Sequence, residues 1–237
     1  MRAVRSCLVP CALCLLPYSS EVPRPRASRT LENLIRRLGF VHVAGVDEVG
    51  RGCLAGPVVA GAVVLHPDRY VRGIADSKVL TRLDRERLFD EIVGVAITWA
   101  VAALDAGEVD RLNIHRASLQ AMRQAVTALE PLPGFVLVDA FRLPELIMPQ
   151  RPIVGGDRRS TAIAAASILA KVTRDRMMRD LHAQDPRYGF DKHKGYATRD
   201  HIEAVARFGY SPVHRRTFRP ASLFDTMPTD IDREYEP

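Results

Sequence analysis

The chain has 237 residues, 47% of them hydrophobic and 26% charged, which is enough to build a real core in one large domain or two small ones. The composition is that of a globular soluble protein and excludes a disulfide scaffold, because only Cys53 of four cysteines lies in the body of the chain, and we expect a reducing, cytoplasmic compartment. Lysine and arginine (34) outnumber aspartate and glutamate (28), and the pI of about 9.4 favours an anionic partner such as a polyphosphate.

Residues 1–30 resemble a short secretion signal, with a basic start and an apolar stretch. Pro10 and Pro17 interrupt that stretch, no small-residue cleavage site follows, and it is too short to span a bilayer. We therefore expect a poorly ordered extension or an upstream start, and not an exported precursor. A zinc site is not expected at Cys7, Cys11 and Cys14, because no second ligand pair follows.

The first predicted elements alternate between helical and strand periodicity. An amphipathic helix is predicted over 30–39, two valine-rich buried strands over 41–46 and 58–65, a surface helix over 78–93, and a third strand over 96–103. Gly50, Gly52 and Gly56 punctuate the connection between the first two strands.

The second half continues the alternation. The predicted elements are a helix over 113–129, a strand over 135–138, a buried helix over 161–170 that runs into the charged segment 171–180, a loop over 186–195, and a last helix over 198–208. We predict one α/β domain over 31–224 with a C-terminal helical appendage, preceded by the extension 1–30 and followed by a tail over 225–237.

Acidic residues follow two of the apolar strands. Asp47 and Glu48 come after the strand 41–46, and Asp139 comes after 135–138. Adjacent carboxylates at one edge of an α/β sheet are tolerated when a divalent cation or protons neutralise them. Asp157, just before the buried helix, either caps that helix or completes the cluster. The oxygen donors suit Mg²⁺ or Mn²⁺, and such clusters commonly hold two ions that activate a water molecule.

Seven short motifs in order resemble those of type 2 ribonuclease H, the ribonuclease HII family. They are GVDEVGRG at 45–52, DSK at 76–78, LNI at 112–114, VD at 138–139, AAASILAKVTRD at 164–175, HKGY at 193–196 and HRRTF at 214–218. Together they span residues 41–220, nearly the whole body of the chain.

This resemblance implies a ribonuclease H-like fold, a mixed five-stranded sheet flanked by helices. It also implies that Asp47, Glu48, Asp139 and Asp157 bind Mn²⁺ or Mg²⁺ and carry catalysis. The implied reaction is hydrolysis on the 5′ side of a ribonucleotide in RNA–DNA hybrids or within duplex DNA, leaving 3′-hydroxyl and 5′-phosphate ends. Replication and ribonucleotide excision repair are the processes that use this activity.

The resemblance also suggests residues that contact the nucleic acid. The Gly50-Arg51-Gly52 turn lets the backbone approach a sugar and test for its 2′-hydroxyl, and Tyr196 resembles the tyrosine that packs on the sugar at the junction between ribonucleotide and DNA. Further expected contacts are Ser77, Lys78, Lys171, Lys194, Arg215 and Arg216.

One position departs from the family pattern, since Gly155 stands where a lysine is common, which puts a phosphate contact there in doubt.

There are three alternative assignments for the chain. Ribonuclease HIII is disfavoured because only about 40 residues precede the first strand. The four acids argue against a non-catalytic binding module, and the glycine-arginine-glycine turn with Tyr196 argues against another nuclease or transposase. We expect a monomer without a membrane partner, and no clamp-docking peptide is evident in the tail.

Overall fold

The computed structural model describes residues 27–75, 77–78 and 80–218. In this part of the chain five strands form one sheet of order β3-β2-β1-β4-β5. The strands are β1 (Val43–Val49), β2 (Val58–Leu65), β3 (Ala96–Leu104), β4 (Phe135–Asp139) and β5 (Gln150–Ile153). β2 is antiparallel to β1 and β3, whereas β4 is parallel to β1 and β5. The sheet is mixed, as the predicted fold class requires.

Helices cover both faces of this sheet. The helices of the described residues are α1 (Thr30–Arg37), α2 (Arg82–Val95), α3 (Ala106–Leu112), α4 (Ile114–Thr127), α5 (Thr161–Gln184), α6 (Phe190–His193) and α7 (Arg199–Phe208), of which α6 and α7 belong to the C-terminal appendage and not to the faces of the sheet. One face packs against α4 and the other against α5, with α2 beside α5. The nine residues 162–170 of α5 are all buried, as predicted from their apolar character.

The alternation of side chains in β1 decides which of them face α5. Ala44 and Val46 belong to the core cluster that includes α4, whereas Val43 packs on the other face with Ile163 of α5. Gly45 lies so close to α5 that an added Cβ would be 2.2 Å from the Ala162 carbonyl carbon. Because side chains alternate along a strand, Asp47 also points to the α5 face.

Several element boundaries differ from the predictions. β1 continues to Val49 and so includes Asp47 and Glu48, because these residues still pair with β2. α2 starts at Arg82 and not at residue 78, since Thr81 caps it by accepting a hydrogen bond from the Asp84 amide. The helix α3 was not predicted.

The C-terminal appendage packs around the far end of α5. Its core brings together Met178 of α5, Tyr188, Phe190 of α6, Val205 of α7, and Ala55 from the β1–β2 connection. The stretch 186–195, predicted as a loop, contains a 3₁₀ turn and α6. This small core places the appendage against the β1–β2 connection, next to the acidic residues.

At the N-terminal side, the buried Arg29 joins the body of the protein directly. Its guanidinium donates hydrogen bonds of 2.7–2.9 Å to the carbonyls of His66, Pro67 and Arg69. The predicted extension and tail otherwise lie outside the described residues, as do Cys7, Cys11, Cys14 and Asp76. Among the helices described, none has both the length and the apolar character needed to cross a bilayer.

Candidate active site

Two strands bring the first two acids side by side. β1 and β4 are parallel, and their last aligned pair is Val46 with Val138. Asp47 and Asp139 are the next residues on each strand. Because Val138 packs in the same core cluster as Val46, the alternation of side chains places both carboxylates on the α5 face.

Glu48 completes a cluster of three acids that could hold a metal ion. One carboxylate oxygen each from Asp47, Glu48 and Asp139 lies within 4.8 Å of the others. Oε1 of Glu48 accepts a hydrogen bond of 3.2 Å from Arg51, whereas the buried Oε2 has no hydrogen-bond partner. Three converging oxygen donors with an unsatisfied acceptor fit a hard divalent cation such as Mg²⁺ or Mn²⁺.

The electrostatics of the cluster point the same way. Burial raises the pKa of Asp47 well above its usual range, and the charges of Glu48 and Asp139 raise it further. Burial also raises the pKa of Glu48, although Arg51 opposes this, and burial together with Asp157 raises that of Asp139. The site therefore holds negative charge at a cost that a bound cation would offset.

Asp157 lies beside this cluster and outside the group of three. It is buried in a 3₁₀ turn (Gly156–Arg158), close enough to Asp139 to influence its pKa, and its Oδ2 is 3.9 Å from Nζ of Lys78. Asp157 does not cap α5, because Ser160 does so by accepting a hydrogen bond from the Ile163 amide. The capping alternative for Asp157 is therefore wrong.

The same 3₁₀ turn orients Asp139. The amide of Gly156 donates a hydrogen bond of 2.7 Å to Oδ1 of Asp139. Gly155, which departs from the family pattern, adopts φ +63°, and a side chain there would meet no atom within 4 Å. Space alone does not exclude the usual lysine at Gly155.

Two serines form a hydrogen-bonded chain that ends at the Asp47 carboxylate, a role that was not predicted from the sequence. Ser167 of α5 hydrogen-bonds to Asp47, and its Oγ is 2.9 Å from Oγ of Ser77. When Asp47 is ionised it can only accept, so Ser167 donates to it and Ser77 donates to Ser167. Ser77, predicted to contact nucleic acid, is only 4% exposed and contacts Ser167 instead. A polar residue within an otherwise apolar helical run was the available signal for Ser167.

The Gly50-Arg51-Gly52 turn follows the acids after one residue, Val49, and two buried arginines hold the β1–β2 connection that contains it. Arg174 donates to the carbonyls of residues 55, 57 and 194. A Cβ on Gly50, which has φ +93°, would lie 2.3 Å from the side chain of Arg174. The turn is thereby fixed in a conformation that excludes side chains at residue 50.

Arg215 is the second of these arginines. Its side chain is fully buried and donates to the carbonyls of Arg51 and Gly56. A residue with no exposed surface and all its bonds directed inward cannot reach a phosphate. We therefore correct the predicted phosphate contact, because Arg215 instead stabilises the turn.

The other predicted substrate contacts lie at or near the surface. Tyr196 is 41% exposed, and its hydroxyl shares a hydrogen bond with the buried Cys53, which is not in a disulfide. Lys78 has 82% of its side chain exposed, and the Lys171 Nζ is 2.6 Å from Oδ1 of Asp175. The remaining two are Lys194, whose Nζ bonds to the Asp191 carbonyl, and the exposed Arg216, whose guanidinium lies 5.0 Å from the Tyr210 ring centroid.

Comparison with known protein families gives a specific match. Residues 44–221 match the family model described as Ribonuclease HII. A curated Ribonuclease HII from Anaeromyxobacter sp. (strain Fw109-5) is 57% identical over 182 residues, which are 77% of this chain and 58% of that protein. A Ribonuclease HII from Solibacter usitatus (strain Ellin6076) is 49% identical over 211 residues, 89% of this chain and 92% of the relative.

Solved structures with the same fold include a ribonuclease H2 and an RNase HII. Ribonuclease H2 from Pyrococcus horikoshii OT3 gives a TM-score of 0.64 at 26% identity, covering 78% of this chain and 97% of that one. RNase HII from Archaeoglobus fulgidus, solved in a PCNA:RNase HII complex, gives a TM-score of 0.64 at 25% identity, covering 78% of this chain and 100% of that one.

Proposed function

Because the chain belongs to the ribonuclease HII family, and is thus an endoribonuclease acting on RNA–DNA hybrids, we propose that it also cuts at single ribonucleotides embedded in duplex DNA. Cleavage falls on the 5′ side of the ribonucleotide and leaves 3′-hydroxyl and 5′-phosphate ends. In this proposal the enzyme acts in ribonucleotide excision repair and in DNA replication, in the cytoplasm. It is a monomer, and its catalytic domain spans residues 31–224.

The observation that carries this proposal is the convergence of Asp47, Glu48 and Asp139 within 4.8 Å. These residues would hold Mn²⁺ or Mg²⁺, as two ions, with Asp47 and Asp139 supplying oxygens from neighbouring strands. Bound divalent cations supply Lewis-acid activation of the phosphate and of water. Glu48 would contribute its free Oε2, while its Oε1 stays paired with Arg51.

Asp157 has a separate role in the proposal. Lying beside Asp139, it would orient the attacking water or complete the ligand set, and Ser167 would keep Asp47 in place through its hydrogen bond. Lys78, 3.9 Å from Asp157, is suited to a nearby phosphate. Lys171, Lys194 and Arg216 are further proposed phosphate contacts.

Selectivity for RNA rests on the turn and on Tyr196. The backbone of Gly50, Arg51 and Gly52 can approach the sugar because a Cβ added at Gly52 would have no atom within 4 Å, so this glycine faces open space. The isolated bridge between Cys53 and Tyr196 puts the tyrosine next to this turn. We propose that the turn detects the 2′-hydroxyl and that the Tyr196 ring packs on the adjoining sugar.

A cleavage assay with three substrates tests the proposal. Purified protein with Mg²⁺ or Mn²⁺ is given a duplex with one embedded ribonucleotide, a continuous RNA–DNA hybrid and an all-DNA duplex. We expect cleavage of the first two, 5′ to the ribonucleotide in the first, and none of the third. Cleavage of continuous hybrids alone would refute the claim for embedded ribonucleotides.

A further inference from the structure

Three histidines pack together in the appendage, directly behind the segment that carries Tyr196. The His193 and His201 rings stack at 4.3 Å between centroids, and the His201 and His214 rings lie 5.2 Å apart. Nε2 of His201 is 3.0 Å from Nε2 of His214, and both side chains are almost fully buried. Such a contact requires one ring to donate and the other to accept.

The surrounding hydrogen bonds determine which ring donates. Nδ1 of His201 lies 2.8 Å from the Tyr196 carbonyl, which can only accept, so this nitrogen carries the proton. Nδ1 of His214 lies 3.0 Å from the Ser211 amide and 2.7 Å from the Ser211 hydroxyl. The amide can only donate, so Nδ1 is an acceptor, the hydroxyl donates to it as well, and the His214 proton is on Nε2. His214 therefore donates to the bare Nε2 of His201.

These assignments give a continuous chain of hydrogen bonds when both rings are neutral. It runs from the Ser211 amide through His214 and His201 to the Tyr196 carbonyl. Burial of both rings lowers the pKa of His201 and of His214 to about 4, which keeps them neutral at physiological pH. The chain is thus complete under the conditions in which a cytoplasmic enzyme would work.

His193 holds the preceding peptide in the same way. Its Nε2 is 2.7 Å from the Tyr188 carbonyl and so donates, while its Nδ1 accepts from the Gly195 amide at 3.2 Å. Gly195 has φ +84°, and a Cβ there would be 2.4 Å from the Ala55 carbonyl oxygen. The backbone on both sides of the Gly195–Tyr196 peptide is therefore fixed by imidazoles, whereas the Tyr196 ring is partly exposed.

We propose that His201 and His214 are positioning residues for Tyr196. By fixing the Tyr196 carbonyl they orient its ring toward the sugar, and so set the preference for an embedded ribonucleotide over a continuous hybrid. The inference rests on the proposed function of Tyr196. Neither histidine contacts the acids, so the chemical step itself is outside their influence.

The test compares variants that break the chain with variants that keep it. His201→Leu removes both contacts, whereas His201→Asn keeps a donor near the position of Nδ1 for the Tyr196 carbonyl but loses the acceptor for His214. His214→Asn keeps an acceptor for the Ser211 amide but cannot reach His201, whereas the longer His214→Gln can donate to it. His66→Gln, at the far end of β2, is the control.

Steady-state cleavage of both substrates gives the readout. We expect His201→Leu and His214→Asn to lower kcat/KM for the embedded ribonucleotide, relative to the continuous hybrid, by about tenfold, mainly through KM. His214→Gln, which keeps the link to His201, should retain most of the wild-type ratio, whereas His201→Asn, which lacks that link, should lower the ratio as His214→Asn does. If His201→Leu does not fold, the comparison of the substrate ratio between His214→Asn and His214→Gln still tests the inference.

Nitrogen-15 NMR of the imidazoles identifies the tautomer of each histidine, independently of any cleavage assay. We expect the proton of His201 on Nδ1 and that of His214 on Nε2 at pH 7, and the opposite tautomers would overturn the inference. So would an unchanged substrate ratio in folded His214→Asn. A wild-type protein that does not cut the embedded ribonucleotide would instead refute the proposed function.

Discussion

Asp47 and Asp139 are neighbours because each lies one residue beyond Val46 and Val138, the last aligned pair of two parallel strands. Both carboxylates face α5, where Ser167 bonds to Asp47, and the Gly156 amide just before α5 bonds to Asp139. A backbone register and two hydrogen bonds thus bring together charges that repel each other.

Replacing Asp139 with asparagine should stabilise the metal-free protein. Its raised pKa means that the ionised form is disfavoured in the folded state, so removing the charge should increase the free energy of unfolding at pH 7. The amide oxygen can still accept from Gly156. Thermal unfolding with EDTA measures this gain.

The same variant should respond less to metal. Mn²⁺ should raise the melting temperature of the wild type through binding to the native state, and Asp139→Asn should lose most of that increase. Asp90→Asn, an exposed change on α2, is the control. It should change neither the stability of the metal-free protein nor the increase in melting temperature caused by Mn²⁺. An undiminished increase in Asp139→Asn would argue against Asp139 as a ligand.

The close packing of β1 on α5 makes Gly45 sensitive to any side chain. Gly45→Ala places a Cβ 2.2–2.4 Å from the backbone of Ala162 and Ile163, which cannot move without displacing α5. We expect a loss of about 3 kcal/mol or more in urea unfolding. Gly94→Ala, in α2 with open space around it, should be neutral or stabilising by about 0.5–1 kcal/mol. Equal effects at both positions would contradict the packing argument.

The buried histidines predict a stability that falls in acid. The pKa of His214 is about 4 in the folded state, against 6.5 in the unfolded chain. Below pH 6.5 the unfolded chain therefore binds a proton at this residue, whereas the folded chain stays unprotonated there until the pH approaches 4. Stability is full at pH 7 and declines as the pH falls from 6.5 to 4. Between pH 7 and pH 5 the wild type should lose about 2 kcal/mol more than His214→Gln in urea titrations. Equal losses would show that His214 is not responsible.

Arg215 and Arg216 are adjacent in the sequence, but substitution by lysine should change the stability of the protein at Arg215 and not at Arg216. Arg215→Lys cannot reach the carbonyls of both Arg51 and Gly56, so we expect a loss of about 2–4 kcal/mol in stability with no change in the salt dependence of hybrid binding. Arg216→Lys, on the surface, should stay within about 0.5 kcal/mol. If Arg215→Lys changes the salt dependence and not the stability, Arg215 contacts phosphate after all.

Hydrophobic periodicity was enough to predict most strands and helices, and it placed Asp47 and Asp139 at one sheet edge. It missed β5, because Arg151 and Pro152 break the strand pattern, and Pro152 is tolerated only because β5 is an edge strand. It also missed α3, although the capping box of Asp105 and Glu108 was a readable signal.

The roles of single side chains were harder to predict. A sequence cannot reveal that Arg215 is buried or that Ser77 turns inward, because burial depends on which distant segments meet. The histidine chain joins residues 196, 201, 211 and 214 through contacts made only in the folded appendage. No spacing rule connects these positions.

The central claim is that Asp47 holds the catalytic cations, and Asp47→Asn tests it most directly. The measurements are Mg²⁺- or Mn²⁺-dependent cleavage of a continuous hybrid, and hybrid binding in EDTA beside the wild type. We expect cleavage to fall by about a thousandfold or more, with the affinity for the hybrid within about threefold and the melting temperature not lowered. A folded Asp47→Asn protein with full metal-dependent cleavage would contradict the assignment of this site.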